Sequence, residues 1–264
     1  MVQQLKHAPG DGVTDDTAAI NRAISDGNRC APGSCASSTT SPAVVYFPTG
    51  TYLITSSIID YYYTQIIGNP NCVPTIKAAA NFSGAHGLGL IDGDPYGSNG
   101  QLDYGATNVF WRQIRNFKID MRLIPSNESA TGIHWPTAQA TSLQFIDFLM
   151  SDAADTQHQA VFIESGSGGF ITDLTIHGGL NGINVGNQQF TMVNLTFHNS
   201  KTAINQLWDW GKSQQCSVFC SFSNVGRLAV PRHPYPQLLH WYLHGLWRSD
   251  RSVCWLHNFD RQRH

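Results

Sequence analysis

The sequence predicts an all-β parallel β-helix over residues 40–210, closed at its N-terminal end by one short helix. Three observations carry that expectation. One segment repeats at a fixed offset, short alternating apolar runs recur between Gly and Asn turns, and a single amphipathic stretch precedes them. In the repeat, Thr172-Asp173-Leu174-Thr175-Ile176-His177 matches Val193-Asn194-Leu195-Thr196-Phe197-His198 at an offset of 21, and Ile183 falls on Ile204. Phe117-Lys118-Ile119-Asp120 with Gly132-Ile133-His134, and Ile146-Asp147-Phe148 with Val161-Phe162-Ile163, have the same layout. Ile133, Val161, Ile183 and Ile204 are 28, 22 and 21 residues apart. A period in the low twenties with such short strands is a solenoid signature, one repeat making one coil of about three strands. Successive side chains alternate in direction, so Leu174 and Ile176 are expected to stack on Leu195 and Phe197, one coil and about 4.8 Å away. Leucine-rich repeats have similar periods, but their Leu-x-x-Leu-x-Leu pattern with Asn is absent. The extra residues between Ile133 and Val161 form a longer loop, and loops carry sites on such scaffolds.

The N-terminal elements follow in order. Thr14, Asp15 and Asp16 offer side-chain oxygens to cap a helix start, and the acids suit its positive end. Ala18, Ala19, Ile20, Ala23 and Ile24 then form an apolar stripe at spacings of three and four. Asp26-Gly27-Asn28 ends a helix of about residues 16–26. Such a helix suits a lid on a solenoid end, where unpaired strand edges must be covered. Val44-Val45-Tyr46-Phe47 and Thr51-Tyr52-Leu53-Ile54 are strands, with Pro48-Thr49-Gly50 as the turn between them.

Two of these phrases carry a resemblance. Gly10-Asp11-Gly12-Val13-Thr14-Asp15-Asp16-Thr17-Ala18-Ala19-Ile20, followed by Val44-Val45-Tyr46-Phe47-Pro48-Thr49-Gly50-Thr51-Tyr52-Leu53-Ile54, resembles the opening of the pectate-lyase-like superfamily. That superfamily includes rhamnogalacturonase/epimerase-like domains, many carbohydrate-cleaving enzymes and phage tailspikes. The resemblance implies a single-stranded, right-handed, pectin-lyase-like β-helix and a polysaccharide ligand.

Composition agrees with a β-rich, polysaccharide-facing protein. Only 13% of residues are charged, 24 are Gly, and the net charge of −2 leaves no basic footprint for nucleic acid. No apolar run approaches the roughly 20 residues that span a membrane. Secretion is the expected location. Cys30 and Cys35 bracket Ala31-Pro32-Gly33-Ser34 and can close a small disulfide loop in an oxidising compartment. Sequons stand at Asn81, Asn127 and Asn194. No signal peptide precedes the first motif, which is read as a missing N-terminus.

A second resemblance is narrower. Trp111-Arg112-Gln113-Ile114-Arg115-Asn116-Phe117-Lys118-Ile119-Asp120, Gly132-Ile133-His134-Trp135 and Ala138-Gln139-Ala140-Thr141-Ser142-Leu143-Gln144 look like fungal exo-β-1,3-glucanases of glycoside hydrolase family 55. So do Ile163-Glu164-Ser165-Gly166-Ser167-Gly168-Gly169-Phe170, Gly186-Asn187-Gln188-Gln189-Phe190-Thr191 and Asn205-Gln206-Leu207-Trp208-Asp209-Trp210-Gly211. That family joins two β-helix halves in one chain more than twice this length. Its inverting mechanism takes the general acid from the second half, which has no counterpart here. The resemblance implies that Gln139 or Gln144, Ser167, and Gln188 or Gln189 are polar groups near the sugar and the attacking water.

The carboxylate count points the same way. An inverting glycosidase needs two carboxyl groups roughly 6.5–9.5 Å apart. The only glutamates are Glu128, in a sequon-bearing loop, and Glu164, between an apolar strand and a Gly-rich turn. Glu164 can line a groove or bond turn N–H groups. Asp120, Asp147 and Asp173 recur at coil ends and read as turn caps. Trp111, Trp135, Trp208 and Trp210 can stack on sugar rings or pack in the core, and the edge pair Trp208 and Trp210 is the better candidate. No acidic cluster suits the calcium of a pectate lyase. The Asn-Thr-Asp, Asp-Asp and Arg-Ile-Lys signatures of polygalacturonases are absent.

From Lys212 the repeat stops. Residues 212–264 hold seven Lys/Arg and five His against Asp250 and Asp260. Cys216, Cys220, Cys254 and His257 fit no standard zinc spacing, and no metal or other cofactor is expected. The expected organisation is a β-helix domain over 1–211 and a disordered, non-homologous tail over 212–264, from a shifted frame or a splice error. The expected function is an inactive fragment of a secreted, inverting exo-β-1,3-glucanase. The alternatives are a pectin- or rhamnogalacturonan-active lyase or hydrolase, and a non-catalytic glycan-binding module.

Overall fold

The computed structural model describes residues 2–5, 7–84, 88–187 and 190–207, together with the backbone of strands at 217–223, 227–229 and 252–257. The chain winds as a parallel β-helix. Two sheets run its length, one of long strands and one of short. The long strands Gln113–Asp120, Ser142–Leu149, Phe170–His177 and Thr191–His198 alternate along the chain with the short strands Ala130–His134, His158–Ile163, Asn181–Val185 and Thr202–Gln206. Each strand pairs in parallel with its counterpart one coil away.

Register places like on like. Ile114, Leu143, Ile171 and Met192 form one internal row, and Phe117, Ile146, Leu174 and Leu195 a second. Ile119, Phe148, Ile176 and Phe197 form a third, and Ile133, Val161, Ile183 and Ile204 line the short sheet. Every one is at most 1% exposed. The stacking of Leu174 and Ile176 on Leu195 and Phe197, and of Ile183 on Ile204, is as the 21-residue period requires. Burial of each such side chain is worth about 1.5–3 kcal/mol, and truncating one to Ala costs about 2–5 kcal/mol.

Each long strand bends at one residue. Asn116, Phe145, Asp173 and Asn194 have φ of 63°, 53°, 55° and 55° and drop out of the pairing ladder for a single position. The long sheet thereby supplies two faces of the coil and the short sheet the third. In the first coils the two faces are separate strands, Ala43–Phe47 and Thr64–Gly68 on one, Thr51–Ser56 and Thr75–Ser83 on the other. Gln113–Asp120 merges them, pairing with Thr64–Gly68 along its first half and Thr75–Ser83 along its second. The junction is tight: a Cβ at Gly68 would lie 1.9 Å from Asn116 O.

The helix Thr17–Ser25 covers the first coils with Ile20 and Ile24 fully buried. Its cap comes from Asp15, not Asp16. Asp15 Oδ1 accepts the Thr17 N–H (3.0 Å) and the Thr17 hydroxyl (2.6 Å), whereas Asp16 at the N-cap position makes no side-chain cap bond. Asn21 ties the helix to the short sheet by donating to Ser57 O and accepting from Ile59 N–H. The Cys30–Cys35 disulfide is formed.

Beyond Lys212 the sheets continue. Ser217–Ser223 and Arg227–Ala229 extend the long and short sheets in parallel, and Ser252–His257 pairs antiparallel with Ser217–Ser223. The expected boundary at 211 falls before these strands. The register slips there, with Leu195 opposite Cys220, so the 21-residue period no longer marks the pairing. The remainder of the 212–264 tail lies outside the described residues.

Candidate functional site

Three of the sequence candidates, Gln139, Glu164 and Ser167, fall at one corner of the coil. At this corner the chain leaves the short strands and turns toward the long ones, through residues 135–141 and 164–169 of successive coils, with Gly186, Asn187 and Phe190 on the following coil. Bonds donated by backbone N–H groups clamp the turns together. Ser167 N–H donates to Thr137 O (3.0 Å), Ala138 N–H to Val109 O (2.8 Å), and Gly168 N–H to Asn187 Oδ1 (3.2 Å).

At the head of the corner four side chains form a chain of hydrogen bonds. Short-strand register sets Asp92 beside His134, and His134 beside Phe162. His134 lies 2.9 Å through Nδ1 from Asp92 Oδ1 and 2.9 Å through Nε2 from Glu164 Oε1. The Tyr96 hydroxyl donates to Glu164 Oε2. The imidazole is sandwiched between the rings of Tyr96 (6.0 Å) and Phe162 (5.5 Å). Asp92 and His134 are fully buried, while the Glu164 side chain is 23% exposed.

The electrostatics follow from this placement. Burial alone would lower the His134 pKa, but the bonds to Asp92 and Glu164 outweigh it and lift it to about 9. His134 is therefore an imidazolium at neutral pH, donating from both nitrogens. Burial pushes the Glu164 carboxyl up, and the His134 and Tyr96 bonds more than offset this, holding it below its ordinary value. Behind the corner, Arg112 is buried over the Trp135 ring (5.3 Å) and donates to Asp60 O and Gly93 O. Burial, opposed by Arg112 and Arg29, raises Asp60 to about 7, and burial raises Asp94 to about 6.

Of the candidates read from the sequence, this corner gathers three. Glu164 and Ser167 share one turn, and the exposed Gln139 lies against the next, where a Cβ on Gly168 would meet its Cγ at 2.9 Å. Gln144 stands past the corner on the long strand, paired with Arg115 and Thr172 and donating to Ser142 Oγ (2.8 Å). Gln188, Gln189, Trp208 and Trp210 lie outside the described residues. Trp135 is fully buried, which leaves Trp111, 45% exposed, as the open indole among the described residues. Asp173 sits at the bend of its strand bonded to Thr172 and Asn194, and Asp120 chelates Arg122. Among the described residues no group of three or more His, Cys, Asp or Glu is arranged to hold a metal ion.

The sequence reading does not identify His134 and Tyr96 as partners of Glu164, nor Asp92 as the partner of His134. The Ile133–Val161 alignment places His134 opposite Phe162, two residues before Glu164, and is the signal that points to it. Residues 89–96 show no repeat in the sequence, so nothing pointed to Asp92 or Tyr96.

Chemically, the corner offers an ionised, partly exposed carboxylate in the same turn as a hydroxyl and one coil from an exposed amide. Such a carboxylate accepts a proton or a hydrogen bond from water or a sugar hydroxyl; it does not start as an acid. Asp92, beyond the imidazole, is sealed from any substrate.

Comparison with known proteins adds lineage to this geometry. The sequence profile of the family described as rhamnogalacturonase A/epimerase, pectate lyase-like, matches residues 6–227. A glucan 1,3-beta-glucosidase of Cochliobolus carbonum is 52% identical over 205 residues, 77% of this chain and 26% of that protein. A probable glucan endo-1,3-beta-glucosidase of Arthroderma benhamiae is 49% identical over 227 residues, 83% of this chain and 25% of that protein. A protein of Penicillium expansum named non-secreted LysM effector LysM19 is 52% identical over 208 residues, 79% of this chain and 16% of that protein. The chain thus spans about a quarter or less of the length of these relatives.

Proposed function

The chain belongs to the rhamnogalacturonase A/epimerase, pectate lyase-like family, and from that premise we propose that it forms one wall of the groove of a secreted, inverting exo-β-1,3-glucan hydrolase. The substrate class rests on two relatives, each about half identical, that carry the names of β-1,3-glucan hydrolases. The Cys30–Cys35 disulfide supports an oxidising compartment. The observation that carries the mechanistic reading is the pairing of Glu164 with His134 and Tyr96. An inverting pair needs one ionised and one protonated carboxyl. Glu164 has the character of the ionised member, able to take a proton from the attacking water, with Gln139 and Ser167 orienting that water. The general acid then comes from outside the described residues, and the chain alone releases no glucose.

Incubating the purified chain with laminarin and, separately, with pectin tests this. No glucose from either is the expected result. Robust glucose release from laminarin by the chain alone would overturn the reading, because it requires a general acid within the chain itself. Short oligosaccharides in place of glucose would favour endo action, as the name of the Arthroderma relative has it.

A further inference from the structure

The corner is furnished unequally along the helix axis. In four successive coils it holds Tyr63, Trp111, Ala140 and Gly168, with φ of 57°, 63°, 59° and 86°. Left-handed backbone is rare for a bulky aromatic residue and persists where its surroundings over-determine it. Arg29 does so for Tyr63, donating from Nη2 to Tyr62 O (3.0 Å), Tyr63 O (3.3 Å) and Thr64 Oγ1 (2.8 Å). Tyr104 donates its hydroxyl to Cys30 O (2.7 Å) and accepts the Tyr62 N–H (3.2 Å). The disulfide closes the loop that these bonds hold. Asn108, just before Trp111, donates to Ala36 O of the same loop at 2.8 Å. A second small core of Cys30, Tyr62, Tyr104 and Val109 lies beneath, with Tyr63 and Phe110 packed against it.

This scaffold presents a fixed pair of rings. The Tyr63 and Trp111 centroids are 5.9 Å apart and tilted by 36°. Tyr63 covers one side of the indole. On the other side the same corner carries Ala140 and then Gly168, which add no bulk beyond a Cβ, next to Gln139 and Ser167. Coils are spaced about 4.8 Å apart, close to the length of one sugar in a chain. An exposed aromatic face in line with amide and hydroxyl groups has the chemistry to receive a pyranose ring.

We propose that Trp111, backed by Tyr63, is a stacking platform for one pyranose ring, a subsite distal to the polar groups at Gln139 and Ser167 on the same groove. The ligand follows from the glycan reading above; the place follows from the corner itself. The platform extends the groove toward the N-terminal coils and is reached only by longer chains.

Calorimetric titration of the full chain with laminari-oligosaccharides, from the disaccharide to the hexasaccharide, tests it. In Trp111→Ala the hexasaccharide is expected to bind about tenfold more weakly, while the disaccharide is unaffected. Trp111→Phe, which keeps a ring, is expected to retain most of the affinity and guards against loss through misfolding, with thermal midpoints measured for both variants. Equal affinity of Trp111→Ala and the native chain for every length would overturn the proposal. A native chain that prefers oligogalacturonides, with the same length-dependent loss in Trp111→Ala, would sink the glucan reading and leave the platform standing. Binding of neither glycan by the native chain would overturn both.

Discussion

A buried imidazolium between two carboxylates ties the corner to pH. His134 titrates near 6.5 in an unfolded chain and at about 9 in the folded one. A raised folded-state pKa contributes stability that is full below 6.5 and is lost as pH rises through 9. Asp60 and Asp94, raised to about 7 and about 6, act in the same direction but finish by neutrality. The loss between pH 7 and 9 therefore belongs to His134. Urea denaturation is expected to show stability falling by roughly 2–3 kcal/mol over that interval. The fall is smaller in Glu164→Gln, which removes one of the two carboxylates. A flat profile in the native chain would contradict the protonated His134. The residue scale is also where the sequence was least legible. Glu164 stood out as one of two glutamates, but its partners lie 30 and 68 residues away. Only the stacking of coils brings them to hydrogen-bond distance. The same holds for the helix cap, where the three adjacent oxygen-bearing residues gave no means of choosing Asp15 over Asp16.

At the scale of elements, the bend in each long strand sets the cross-section. Asn and Asp tolerate left-handed backbone better than other side-chain-bearing residues, and three of the four aligned bends use them. Phe145 is the exception, 54% exposed and at φ 53°. Phe145→Asn is expected to raise stability by about 1 kcal/mol by relieving part of the left-handed cost. The new amide would lie between Asn116 and Asp173, much as Asn194 already donates to Asp173. A urea midpoint unchanged or lowered would show that the aromatic ring contributes more than the backbone relief. This level was well legible. The 21-residue offset fixed which side chains share an internal row, because parallel in-register pairing turns sequence period directly into spatial neighbours. The bend escaped notice because Asn116, Phe145, Asp173 and Asn194 share a backbone conformation rather than a residue type. The continuation at Ser217–Ser223 escaped because a slipped register breaks the period.

For the molecule as a whole, three faces and a capping helix make a coil that gathers the candidate polar groups at one corner. The internal rows hold the turns 135–141 and 164–169 in register, so Gln139, Ser167 and Glu164 are positioned by the scaffold rather than by their own flexible turns. The family profile and the fold agree on this architecture, which the two N-terminal phrases and the repeat had already indicated. Hydrogen exchange of the purified chain with and without laminarihexaose tests the central claim most directly. Slowed exchange confined to residues 135–141 and 164–169, with the neighbouring turn near 111, is the expected result. An unchanged exchange pattern, or protection on the outer surface of the long sheet instead, would contradict a glucan groove at this corner.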